Sequence, residues 1–224
     1  MELQDLLDEA FDDLKSGAIS RDDYLVMMDS LSLVLNKEVE KEFGFRKDVR
    51  TLKEFAAHML DQMEIENAVI EHWIDTLAYD TFPTLQAVTY SGIREDARLL
   101  CESSATKDEI RRPDVKLTFN DGSVAYLEIK QCPVLYKATY KTSDLKHYHS
   151  LEEDVYMLTA HTKGKFSPDK VKFYTLLAPV KLSKLLDDGR QGILKSEKRR
   201  EMGYKKAVQF TKKGLEDYFL IQEC

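Results

Sequence analysis

Arg112-Pro113-Asp114-Val115-Lys116-Leu117 and Tyr126-Leu127-Glu128-Ile129-Lys130 stand on either side of Asn120-Asp121-Gly122. Asn-Asp-Gly between two apolar-alternating runs is a hairpin signal, so the reading is two strands, 115–119 and 123–130, with Pro133 stopping the second. Side chains alternate along a strand, which puts Glu128 and Lys130 on one face and Leu127 and Ile129 on the other. The turn brings Asp114 alongside that first face. Two carboxylates and an amine at one spot suit a metal-dependent phosphodiesterase. The acids hold a hard divalent cation, and the amine stabilises charge on a nucleophile or a phosphate. The plainer reading is a strand-entry aspartate beside a Glu128–Lys130 salt bridge on a wet face.

Outward from this hairpin the chain changes period. Leu3, Leu6, Leu7, Ala10, Phe11 and Leu14 recur at helical spacing and Gly17 ends that helix. Ser20, with Asp23 three residues on, caps a second helix running to Gly44. Thr51 and Glu54 form a capping box for a third, to about Met63, and a fourth covers Ile65 to about Tyr79 before Pro83. Residues 84–90 read equally as a strand or a helix start. Residues 93–103 read as helix, Ser143 caps a helix from Asp144 to about Ala160, and Lys170–Leu177 alternates as a third strand. From Lys181 the pattern returns to helices. The expected fold is α/β: a helical lobe over 1–80, a sheet-containing core over 81–180 and a basic helical tail over 181–224, all within one domain.

With 43% hydrophobic and 33% charged residues the chain reads as globular and soluble, and it has no apolar run of membrane-spanning length. Cys101, Cys132 and Cys224 are odd in number and lack metal-ligand spacing, which fits a reducing compartment. The acidic N-terminus carries no signal-peptide pattern. A net charge of −7 argues against a generally basic nucleic-acid binder, yet it divides unevenly: −12 over residues 1–80 and +5 over 81–224. The run from Lys195 to Lys213, with Lys198, Arg199 and Arg200 at its centre, is either a phosphate-facing patch or a solvated helix face.

Two acids rarely complete a metal site. Asp29 is the leading third candidate, because its helical neighbours Leu25, Val26 and Leu33 are apolar and an acid on a core-facing stripe needs compensation. Glu66 and Glu71, on the helix nearer the motif, are its rivals. Lys141, just ahead of the 144–160 helix, can reach back over the site or simply stand in solvent. The five histidines show no zinc-like spacing. Trp73 and the tyrosines 136, 140 and 148 read as core, with Tyr140 and Tyr148 alternatively stacking on a base.

Pro113-Asp114 followed by Glu128-Ile129-Lys130 resembles the PD-(D/E)xK nuclease superfamily. A narrower resemblance starts at Tyr24-Leu-Val-Met-Met-Asp29-Ser-Leu-Ser-Leu-Val-Leu35 and extends to Leu151. A hydrophobic helix broken by an acid, a PD motif on a later strand, a strand glutamate and a downstream lysine look like the cap-snatching endonuclease at the N-terminus of arenavirus L polymerases. Residue by residue, the resemblance makes Asp29 the helix acid, Asp114 the PD acid, Glu128 the strand acid, Lys141 the catalytic lysine and Asp144 a weaker extra acid. Lys130 departs from the arenavirus pattern, which leaves two lysines in contention, and no histidine stands near Asp29 as in many bunyavirus versions.

The resemblance implies an endonuclease that cuts host capped mRNA in the cytoplasm, joined to the remainder of a viral polymerase. It would use one or two Mn2+ or Mg2+ ions on Asp29, Asp114 and Glu128, with the Ile129 carbonyl as a further ligand; all-oxygen ligands suit either metal. Lys141 or Lys130 would serve catalysis beside Glu128. The alternatives are a cellular or phage DNA endonuclease of the same superfamily, with Glu66 or Glu71 replacing Asp29, and a nucleic-acid-binding module that cuts nothing and uses the basic run.

Overall fold

Ser20 and Thr51 each head a helix through reciprocal capping bonds. The Asp23 amide donates to Ser20 Oγ at 3.1 Å and the Ser20 amide to Asp23 Oδ2 at 3.2 Å. The Glu54 amide donates to Thr51 Oγ1 at 3.2 Å and the Thr51 amide to Glu54 Oε2 at 2.8 Å. The computed structural model describes residues 3–34, 51–91, 112–136, 138–188, 193–200, 203–210 and 212–223. The caps open α2 (Arg21–Val34) and α3 (Leu52–Trp73), and α1 (Leu3–Ser16) closes at Gly17 with φ +76°. The expected continuation of α2 to Gly44 and the helix over 93–103 lie outside the described residues, as do Cys101 and Cys224.

Compactness divides the chain differently from the expected 1–80, 81–180 and 181–224. One unit comprises residues 1–64 with 91–112, and the other residues 65–90 with 113–224. In the first, α1, α2 and the start of α3 bury Leu7, Ala10, Phe11, Tyr24, Met28 and Ala56 together. Arg21 ties α2 to α3 by pairing with Asp61 and Glu64, which outweigh desolvation and raise its pKa.

The second unit is built on a six-stranded sheet ordered β1-β2-β3-β5-β6-β9. Its strands are β1 (Leu85–Tyr90), β2 (Val115–Phe119), β3 (Val124–Cys132), β5 (Asp154–Thr162), β6 (Val171–Leu177) and β9 (Leu220–Glu223). All neighbours are antiparallel except β3 and β5, which run parallel. Between them the chain passes through β4 (Thr139–Lys141) and α4 (Thr142–His149). A second, three-stranded sheet joins β4 to the hairpin of β7 (Ile193–Arg200) and β8 (Gly203–Phe210). Helices α5 (Pro179–Asp188) and α6 (Lys212–Tyr218) complete the unit.

Alternation along β3 and β5 gives the large sheet two different faces. Leu127, Ile129, Leu158 and Ala160 pack with Val69, Ile70 and Trp73 of α3. Met157 and Leu177, on the other face, pack with Leu145 and Tyr148 of α4, Leu182 of α5, and Leu215 and Tyr218 of α6. Trp73 Nε1 donates to Gln222 Oε1 at 3.3 Å and Gln222 donates on to Thr81, so β9 is pinned to the end of the α3 region. The expected α/β class with a helical component and a mixed sheet is what forms.

Several expected elements differ. Residues 84–90, open in the sequence, form β1. The expected third and fourth helices are one helix, α3, prolonged by a π-helical turn at Ile74–Ala78 and a last turn at Tyr79–Thr81; Met63-Glu64-Ile65 contains nothing that breaks a helix. The expected 144–160 helix stops at His149, and its second half is β5. That strand is buried on both faces, so Val155–Leu158 shows a continuous apolar run in which helix and strand periods look alike. The tail is not wholly helical: β7, β8 and β9 occupy much of it. The Lys195–Lys213 run therefore lies largely on a hairpin rather than a helix face, in a register that opposes Lys198 to Lys205 and Glu197 to Lys206.

Candidate functional site

The hairpin turn is made as its residues dictate. Gly122 takes φ +81°, Asp121 Oδ1 accepts from the Ser123 amide at 2.9 Å and from Ser123 Oγ at 2.6 Å, and the Gly122 amide donates to the Phe119 carbonyl at 2.9 Å. These bonds lower the Asp121 pKa, the Ser123 hydroxyl first. The register that follows pairs Val115 with Leu127. Asp114, one residue before β2 begins, thereby arrives beside β3, and its Oδ2 accepts the Ile129 amide at 2.7 Å.

Glu128 sits in the middle of β3 with only 5% of its surface exposed. A buried carboxylate needs donors, and two reach it. Lys130 Nζ pairs with Glu128 Oε1, and the Tyr148 hydroxyl hydrogen-bonds to the same carboxylate from α4. Desolvation alone would lower the Lys130 pKa. Glu128, Asp114 and Glu66 outweigh it and hold the ammonium well above its usual range. Burial, then the charges of Glu128 and Asp114, push the Tyr148 hydroxyl far up. The centre therefore holds a protonated lysine and a neutral tyrosine beside Glu128 and Asp114 at neutral pH.

The structure brings together Asp114, Glu128, Ile129 and Lys130, with Glu66 of α3 near enough to act on Lys130. Glu71 is exposed. Lys141 lies at the end of β4, 55% exposed, with Asp144 3.7 Å away. Asp144 in turn bears on Tyr148, so Lys141 touches the centre only at second hand. Asp29 belongs to the other unit. Its side chain is 54% exposed and accepts from Lys53 Nζ at 3.2 Å. The expectation of a core-facing Asp29 is thus corrected. Tyr24 and Met28 carry the buried stripe of α2, and Val26, which seemed to enclose the acid, is itself exposed. Lys198, Arg199 and Arg200 occupy β7, opposite Lys205, Tyr204 and Gly203, and their side chains lie outside the described residues.

Sequence reasoning missed Tyr148 as a member of the centre. The signal was its position six residues into a helix that begins right after Lys141. Neither Tyr140 nor Tyr148 is free to stack on a base, because both are buried; Tyr140 donates or accepts with Thr159, next to Lys130 in the register. His161 is wholly buried.

The donor set bears on whether a metal fits. Asp114 and Glu128 are hard oxygen ligands and already attract a cation, the role Lys130 fills. Among the described residues, no group of three or more His, Cys, Asp and Glu side chains is arranged to hold a metal ion. The pair fits a divalent cation in chemistry, and within the same unit Glu66 or a backbone carbonyl can supply a third ligand. Among the described residues no helix is long and apolar enough to cross a membrane. Comparisons of the chain with protein-family models, with curated proteins and with solved structures found no match.

Proposed function

We propose that this protein is a divalent-metal-dependent endonuclease that cuts RNA, of the cap-snatching kind that supplies capped primers to a viral RNA polymerase. The observation that carries the nuclease reading is the meeting of Asp114 and Glu128 around Lys130 on one face of the sheet. The choice of RNA and of caps rests on the resemblance of the Tyr24–Leu151 pattern to arenavirus L endonucleases.

In this reading Asp114 and Glu128 hold one or two Mn2+ or Mg2+ ions, with the Ile129 carbonyl and one helix acid as further ligands. When bound, the metal supplies an acidified water and charge stabilisation at the phosphate. The rest falls to the chain. Lys130, paired with Glu128 at the centre, serves as a positive charge facing the phosphate. Lys141 is exposed and loosely paired, which suits a residue that meets substrate. Tyr148 keeps Glu128 in place while Lys130 changes partner.

Thermal melting with and without Mn2+ tests the site. Wild type is expected to gain several degrees and Asp114→Ala almost none, because ligand binding to the folded state alone raises stability; equal shifts reject the assignment. One observation favours a second reading, a DNA endonuclease of the same superfamily. Glu66, not Asp29, is the helix acid that acts on Lys130. Cleavage of RNA and DNA by Asp29→Ala and Glu66→Ala separates the two. DNA cutting that survives Asp29→Ala and dies with Glu66→Ala would replace the viral reading.

A further inference from the structure

The face of the sheet that carries Glu128 and Lys130 continues past them. Register sets Lys130 beside Thr159 and Thr175, and Cys132 beside His161 and Phe173. The Phe173 ring stacks on His161, with centroids 4.4 Å apart and planes 15° off parallel, and Tyr136 stacks on Phe173 at 4.8 Å and 29°. Tyr136 ends this ladder at the surface, 37% exposed, beside Val134 at 55%. Its loop leads directly from the strand of Lys130 to that of Lys141. Tyr136 also holds φ 57°, a left-handed conformation rare outside glycine and asparagine and found where structure serves a ligand.

Lysines stand on the chain segments next to this aromatic end. Lys212 Nζ stands 5.3 Å from the Tyr136 centroid. The Gly164 amide donates to the Pro133 carbonyl at 3.1 Å, which fixes the exposed Lys163 and Lys165 beside the same loop, and Lys213 is exposed next to Lys212. Among the described residues the carboxylate paired with Lys212 is the exposed Glu216 of α6, at 3.8 Å. A partly exposed aromatic ring beside one lysine, on a loop tied to a turn that carries two more, suits a base with its phosphates.

We infer that Tyr136 is a stacking platform for one base of a single-stranded RNA, with Lys212, Lys163 and Lys165 on the flanking phosphates. The base takes the place of the Lys212 ammonium over the exposed ring face, and Lys212 moves to a phosphate. Counting strand spacings and residue steps, Phe173 lies roughly 12 Å from Lys130 between Cα atoms. The stacked base thus belongs to a nucleotide close to the cut phosphate but not at it. This rests on the nuclease reading for its meaning, yet binding can be measured without it.

The test is titration of an unstructured oligoribonucleotide, carrying 2-aminopurine at successive positions, into wild type, Tyr136→Asn, Tyr136→Trp and Lys212→Ala, with EDTA present. Asparagine keeps the left-handed backbone while removing the ring. Wild type should quench the probe at one position. Tyr136→Asn should lose that quench and bind about tenfold more weakly, as expected for one stacked base, while Tyr136→Trp retains both. Lys212→Ala should reduce the slope of log affinity against log salt by about 0.7. Equal affinity of wild type and a folded Tyr136→Asn overturns the platform. If Asp114→Ala then abolishes Mn2+-dependent cleavage, the nuclease reading survives that failure. RNA binding by Tyr136 with no metal-dependent cleavage would retain the platform and reject the nuclease.

Discussion

His161 is the one histidine that the fold encloses completely. Its Nε2 lies 2.9 Å from Thr175 Oγ1 and its Nδ1 is buried without a partner. The neutral ring satisfies this environment with hydrogen on Nε2, donating to Thr175, and only a lone pair left at Nδ1. A second proton would place an unbonded N–H there. Burial accordingly lowers the pKa from 6.5 to about 4. The unfolded chain binds this proton more readily, so stability falls as pH drops from about 6.5 towards 4 and levels off below. Urea unfolding should find the protein about 2 kcal/mol less stable at pH 5 than at pH 7 from this residue. His161→Asn should flatten that part of the profile; an unchanged slope would remove His161 as its source. Nothing in the sequence distinguishes this histidine from the other four. Its burial follows from β5 lying between β3 and β6.

At the scale of elements, the capping box of α3 was readable from Thr51 and Glu54 alone. Thr51→Ala removes the oxygen that takes the Glu54 amide and should cost about 1 kcal/mol, read as a lower denaturation midpoint with reduced helical circular dichroism. Thr51→Ser should retain most of the stability, and equal loss in both would show that the cap is not the cause. The β2–β3 hairpin was equally legible, since Asn120-Asp121-Gly122 and the alternation on both sides are local features. β5 was not. Its period is erased by burial on both faces, and its pairings with β3, across 21 intervening residues (133–153), and with β6 make it a strand. The β7–β8 hairpin was hidden for another reason: its charges dominate the pattern, and β4, which it pairs with, is distant in sequence. The same logic applies to the centre. Asp114, Glu128 and Lys130 were found because one turn joins them. Tyr148 and Glu66 arrive from elements whose placement is tertiary, and Asp29 was misjudged because apolar neighbours in a helix need not face its core.

Over the whole molecule, negative charge gathers in the first eighty residues and positive charge in the rest, so the half carrying the centre is the one suited to a polyanion. The chain's single tryptophan, Trp73, lies wholly buried in the unit that carries the sheet. Its fluorescence therefore reports on that unit and should be blue-shifted, moving red as the sheet opens. Gln222→Ala leaves the indole N–H without its acceptor and removes the bond to Thr81, and should lower the stability read from Trp73 by about 1–3 kcal/mol. An unchanged midpoint would mean that β9 is held by strand pairing alone.

Glu128 and Lys130 lie on β3, an interior strand with a neighbour on each side. Such a strand cannot fray from an end or peel from an edge. Its amides exchange with deuterium through openings that dismantle the sheet itself, near the free energy of global unfolding. The candidate centre consequently has no separate stability of its own: it lasts as long as the sheet does, and a mutation far from it, at Trp73 or Gln222, shortens its lifetime as surely as one beside it.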